Sequence, residues 1–304
     1  MTKFPYDEFS KNYLNELLRP LGKVETSRKV PAEIREIDVY FLPSSQQPPQ
    51  DIMQIGILGR LALQPALIEP FRNAATRSEI RSCIGKLFTL FADIERGSKT
   101  RVREGELPRL WILSPTVSKA ITNGLNSTID EQWGLGVYFL GDVQKSAVIA
   151  IHQLPRTPDT LWLRIMGRGR VREQAVRELE ALPESNTLRK KAIELLLSLK
   201  TTLEFRDDIK KDKDERRLIM QLSPLYEQKL AEVKLVGQQE GIQEGIQAER
   251  RAIVENLLKV RFGAVDNELS LIMRPIILLS PEEFAPLVLQ LSQLSREELL
   301  DRFS

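Results

Sequence analysis

The chain has 304 residues, 42% of them hydrophobic, which is enough to bury one core of good size and, by length, to hold two structural units. Forty-four Lys and Arg against forty-two Asp and Glu leave a formal charge of +2, too small to argue for a polyanionic partner, so a nucleic-acid reading has to rest on local patches. The single cysteine, Cys83, excludes an internal disulfide, the single histidine, His152, excludes any site that needs two, and no run approaches the ~20 apolar residues of a membrane span. With no apolar segment behind Lys3 either, a cytoplasmic protein without membrane contact is expected.

Asp7 to Leu18 sets Phe9, Tyr13, Leu14, Leu17 and Leu18 on one helical stripe, which Pro20 and Gly22 close. From Lys23 to Leu42 the period becomes two. Ile37, Val39 and Phe41 then face one way and Glu36, Asp38 and Tyr40 the other, which predicts a hairpin whose second strand carries Asp38. Ser44 to Gln50 is a loop, Ile52 to Leu63 a helical stripe ended by Pro65, and Ala66 to Arg72 a short strand carrying Glu69. Ser78 is placed to cap a helix through Ile94, with Ile80, Cys83, Ile84, Leu87 and Phe88 as its apolar stripe. Within that stripe Cys83 reads as a buried structural thiol.

Leu110 to Leu113, Gly136 to Leu140 and Ala147 to Leu154 are further strands, the last holding His152 as a core or edge residue, while Val117 to Leu125, Asp159 to Met166 and Arg172 to Leu182 read as helices. Alternation of strands and helices up to about residue 166 predicts an α/β domain, 1–166, with a mixed central sheet flanked by helices. Trp111, Trp133 and Trp162, in apolar surroundings, read as packing residues.

Beyond Arg170 no period-two run recurs, so 167–226 reads as a helical, charged linker whose mixed-sign run Glu204 to Arg217 should be a solvated face. A Gly/Gln-rich helix follows at 227–262, with Gly237, Gly241 and Gly245 at a period of four. Each interior glycine costs up to ~1 kcal/mol in a helix, so close approach of a second copy is expected to recover it. Leu230, Val233, Val236, Ile242, Ile246, Ile253 and Leu257 would supply the apolar part of a homo-oligomer formed through Gly237 to Gln247. Residues 263–304 form a small helical cap with Ser280 and Glu283 spaced as a capping box.

If the second and third strands pair with their polar faces aligned, Asp38 and Glu69 meet. A helix, a hairpin with one carboxylate, a strand with another and then a long helix is the order expected of a nuclease that gathers hard oxygen ligands around Mg²⁺ or Mn²⁺, ions that suit octahedral oxygen and activate water against a phosphodiester.

In these residues the chain resembles the PD-(D/E)XK nuclease superfamily. Within it the chain is similar to the transposase-like recombination-promoting nuclease (Rpn) group, including cyanobacterial relatives whose helical tails are rich in glutamine and glycine, as Gly237 to Gln247 is here. The likeness covers about residues 5–166 and the helical block from Ala252. It implies a restriction-endonuclease-like sheet, hydrolysis of DNA, Asp38 as the motif aspartate, Glu69 as the second acid and Glu16 as the acidic residue of the first helix, all three toward the metal. One departure stands out: the motif lysine two positions after the acid is Phe71, and Arg72 points to the opposite face of a regular strand. Lys86 or Arg81 on the following helix is left as the cation, and Lys86 joins Asp38 and Glu69 as the expected catalytic set.

Gly167-Arg168-Gly169-Arg170 lacks the Lys-Ser/Thr of a phosphate-binding loop, yet Arg164, Arg168, Arg170 and Arg172 form the best local patch for a DNA backbone. Two function classes follow. One is a divergent metal-dependent DNA endonuclease, weakened by the loss of the motif lysine; the other is a noncatalytic oligomeric interaction protein that kept the nuclease fold.

Overall fold

The computed structural model describes residues 5–30, 35–44, 54–206, 212–291 and 293–303. The chain divides into two compact units, Met1–Pro224 and Leu225–Ser304.

The first unit opens with α1 (Pro5–Leu18), whose stripe Phe9, Tyr13, Leu14, Leu17 and Leu18 is buried as its spacing requires. Strands β1 (Gly22–Val30) and β2 (Arg35–Pro43) form the hairpin. Helix α2 (Gly56–Leu61) leads to β3 (Ala66–Pro70), and α3 (Arg77–Gly97) carries the chain over to β4 (Arg109–Ser114). Next come α4 (Lys119–Gly124), β5 (Thr128–Ile129), β6 (Val137–Phe139) and β7 (Ser146–Ala150). The sheet order is β1-β2-β3-β4-β7-β6-β5, with β3, β4 and β7 parallel at the centre and antiparallel partners on both margins. A parallel strand is covered on both faces, which is why β3, β4 and β7 read as nearly continuous apolar runs. Leu67, Leu110, Ile112 and Val148 pack with Ile80, Cys83, Leu87 and Leu90 of α3 in one buried cluster.

Several expectations need correction. Thr76, not Ser78, caps α3: its hydroxyl accepts from the Glu79 N–H while the Glu79 carboxylate accepts from the Thr76 N–H, a reciprocal pair that outcompetes a cap two residues later. Strand β7 stops at Ala150, and His152 lies in a 3₁₀ turn after it. Part of the helix expected from Ile52, and the loop before it, lie outside the described residues.

The unit also does not end at 166. After α5 (Leu161–Arg164) and α6 (Gly169–Glu180), α7 (Thr187–Glu204) packs along α1 and buries Ala192, Leu196, Leu199 and Leu203. The described part of the charged run is solvated only in part: Lys213, Arg216 and Arg217 are exposed, but three of its acids turn inward. Asp212 and Glu215 accept from Arg72, and Asp214 accepts from Arg168 and Arg172. Opposite charge held at these distances ties the run to the sheet unit.

Helix α8 (Lys213–Phe262) crosses the division between the units. In the second unit α9 (Asn267–Ile277), α10 (Pro281–Gln290) and α11 (Arg296–Phe303) bury Leu269, Ile272, Ile276, Leu287 and Leu299 around Val254 and Leu258 of α8. The capping box Ser280–Glu283 is formed. Among the described residues no helix is long and apolar enough to cross a membrane.

Candidate carboxylate and lysine site

Strands β2 and β3 pair antiparallel, with Tyr40 opposite Leu67 and Val39 opposite Ile68. The ladder ends there, and one further step in the same register sets Asp38 opposite Glu69. Both side chains lie on the face of Tyr40 and Leu67, and the Asp38 backbone N–H supports the Glu69 carboxylate.

From α3, Lys86 reaches down to Glu69 with its Nζ 3.0 Å from Oε1 and 2.8 Å from Oε2. Its place follows from spacing: Cys83 and Leu87 face the sheet, and Lys86, one turn after Cys83, faces the same way. Arg81, on the exposed side of α3, does not. Phe71, where a lysine was sought, packs against the apolar cluster. Arg72 turns away, its guanidinium 4.3 Å from the Tyr6 ring and paired with Asp212 and Glu215.

A second lysine completes the arrangement. Lys11 of α1 lies 3.2 Å from Asp38, 3.1 Å from Asp7 and 3.7 Å from Glu36. Burial disfavours its ammonium, but Asp38 and Asp7 more than offset that and hold its pKa above the ordinary lysine value.

The two carboxylates differ in access, with the Glu69 side chain 3% exposed and that of Asp38 22%. Burial, followed by the negative charge of Asp38, pushes Glu69 up to about 7 in spite of Lys86. Burial also raises Asp38, against the lowering pull of Lys11 and Lys86. Two acids shifted toward neutral pH beside two lysines form the kind of cluster that proton transfer and phosphate chemistry use. The Cys83 thiol, pushed well up by burial and by Glu69, is a packing group.

Glu16 is not part of this cluster. It lies on another face of α1 from Lys11, where it pairs with Lys191 of α7 at 2.7 Å. Among the described residues no third His, Cys, Asp or Glu joins Asp38 and Glu69 in a metal-holding group.

The arginine patch is likewise rearranged. Arg164 is buried, with its guanidinium on Glu178, the Thr160 hydroxyl and the Thr157 carbonyl. Arg168 pairs with Asp212 and Asp214, and Arg172 with Asp214. Of the four only Arg170 is exposed, so the patch does not present a basic face. His152 accepts a hydrogen bond from the Arg168 N–H, and burial lowers its pKa.

Sequence reasoning missed Lys11 and Asp7. An Asp–Lys pair at i,i+4 looks like ordinary surface decoration, and only the tertiary contact with Asp38 gives it another meaning. Comparison of the chain with models of protein families, with curated proteins and with solved structures returns no match.

Proposed function

We propose that the first unit is a divergent, metal-dependent DNA endonuclease of the PD-(D/E)XK kind, Rpn-like, in which Lys86 of α3 takes the place of the lysine missing from β3. The observation that carries this reading is the juxtaposition of Asp38 and Glu69 across β2 and β3 with the Lys86 ammonium on Glu69. The donor set fits Mg²⁺ or Mn²⁺: two hard carboxylates suffice for an ion that keeps waters and takes phosphate oxygens for the rest of its shell. When bound, the ion would supply an activated water and charge neutralisation at the scissile phosphate.

The chain's own residues do the remainder. Asp38, the more open acid, meets the incoming group. Glu69, raised to about 7, can hold or release a proton near neutrality. Lys86 fixes Glu69 and offers a cation to the phosphate, and Lys11 keeps Asp38 in place until the carboxylates are engaged.

A noncatalytic reading has its own support, because each carboxylate already carries a lysine and Arg164, Arg168 and Arg172 are spent on acids. Calorimetry separates the two. Mn²⁺ binding that disappears in Glu69→Gln supports the nuclease reading, and a folded wild-type protein that takes up no Mg²⁺ or Mn²⁺ removes it.

We further propose that α8 pairs with a copy of itself. Leu230, Val233, Ile242 and Ile246 are exposed on it, and a side chain added at Gly237, Gly241 or Gly245 would meet nothing within 4 Å, so the stripe is open to a neighbouring backbone.

A further inference from the structure

A cleft of about 450 Å³ opens in the sheet unit, away from the carboxylates. Successive residues of a strand point to opposite faces, and Ile112 stands beside Glu69 in register, so Trp111 marks the other face of β4. Register then builds the floor. Trp111, Ala147, Phe139 and Thr128 form one row across β4, β7, β6 and β5. Small Ala147 lets the Trp111 and Phe139 rings meet edge to face over it, 5.7 Å between centroids, and Trp133 from the loop before β6 packs on both, its ring centroid 5.0 Å from Trp111 and 5.5 Å from Phe139.

Two guanidiniums are mounted on this floor. The Arg60 Cζ lies 4.2 Å from the Trp133 centroid, with Nη1 donating to the Gln132 carbonyl at 2.6 Å. The Arg109 Cζ lies 5.5 Å from the Phe139 centroid. Neither forms an ion pair among the described residues; burial lowers the pKa of Arg109, and the more distant charge of Asp142 offsets that loss of hydration only in part. An arginine resting over an aromatic ring is restrained and weakly hydrated, which suits bidentate recognition of an oxyanion. Asp130 and Asp142, also lining the cleft, disfavour a bare polyanion and accept from N–H or O–H donors.

We propose that this cleft binds a nucleoside monophosphate, with the phosphate on Arg60 and Arg109, the planar base over the aromatic wall, and base or ribose donors toward Asp130 and Asp142. Its size is that of a small-molecule site, and the combination of an anion, a flat apolar body and polar donors is the chemistry its lining complements. The site is separate from the proposed nuclease centre and needs no metal.

The test is calorimetry of the full chain without divalent ions, against the four ribonucleoside 5′-monophosphates, adenosine and inorganic phosphate, followed by the tryptophan emission of the same titrations. At least one monophosphate should bind saturably and shift the emission, about tenfold more tightly than adenosine or phosphate. Arg60→Gln and Arg109→Gln should each weaken it about tenfold, as loss of a charge-assisted hydrogen bond does, while Glu69→Gln leaves it unchanged. Arg109→Lys, which keeps the charge and loses the fork, should fall between. Absence of saturable binding, retention of binding in the Arg60→Gln/Arg109→Gln double variant with its fold intact by circular dichroism, or inorganic phosphate binding as tightly as any nucleotide would each overturn the proposal.

Discussion

Replacing Lys86 with methionine tests the electrostatics of the carboxylate site without any substrate. Glu69 is nearly fully buried and lies 2.8 Å from the Lys86 ammonium, so removing that cation above neutral pH leaves an ionised carboxylate with its desolvation uncompensated. Breaking a buried pair in this way costs about 3 kcal/mol or somewhat more. The pH dependence fixes the cause. The folded Glu69 pKa of about 7 lies above its ordinary value of 4.5. Its contribution to stability is therefore complete below about pH 4.5 and is lost as pH rises through 7, a change of about 3 kcal/mol at ~1.4 kcal/mol per unit. Without Lys86, which lowers that pKa, the loss continues to higher pH. Urea unfolding at constant ionic strength should thus show Lys86→Met destabilised by about 3 kcal/mol at pH 8.5 and by about 1 kcal/mol at pH 5, where Glu69 carries its proton in both proteins. Equal losses at the two pH values, or none at pH 8.5, would refute the burial and pairing assigned to Glu69.

Arg164→Met should cost about 2 kcal/mol, because Thr160, Thr157 and Glu178 lose their common donor. Arg164 holds Glu178 below its ordinary pKa, so that deficit is present above about pH 4.5 and shrinks as acidification protonates Glu178; a pH-independent loss would contradict the pairing. Its DNA affinity, in a gel-shift assay, should match that of the wild type, since the group is buried. Glu16→Gln should change stability by less than about 0.5 kcal/mol and leave Mn²⁺ affinity in calorimetry unaltered, as expected of an exposed pair with Lys191. Leucine at both Gly241 and Gly245 should lower the oligomeric state seen by light scattering, whereas a monomer before and after the substitution would remove the self-association proposal.

Much of the fold was legible because burial imposes a period. The two-residue alternation of Arg35 to Phe41 located β2 and the side of Asp38, and the apolar run at Ala66 located β3. Lys86 entered only as one of two replacements, with Arg81, for the lysine that the resemblance expects where Phe71 stands. What was illegible is long-range in each case. Lys11 meets Asp38 only after α1 docks on the hairpin, and the arginines at 168 and 172 look basic until acids more than forty residues later fold onto them. Strand β5, two residues long, is too short to show alternation. The boundary at 166 failed because α6 and α7, though helical in pattern, bury their stripes within the sheet unit, and pattern alone does not reveal what a helix packs against. Glu16 entered through resemblance, and its position on α1 turns it toward α7 instead.

The nuclease reading rests most directly on cleavage of supercoiled plasmid by purified protein with Mn²⁺ or Mg²⁺, compared with Asp38→Asn prepared in parallel. Nicking by the wild type that is lost in Asp38→Asn, in Glu69→Gln and in chelator is the expected result. Cleavage no greater in the wild type than in Asp38→Asn would contradict it.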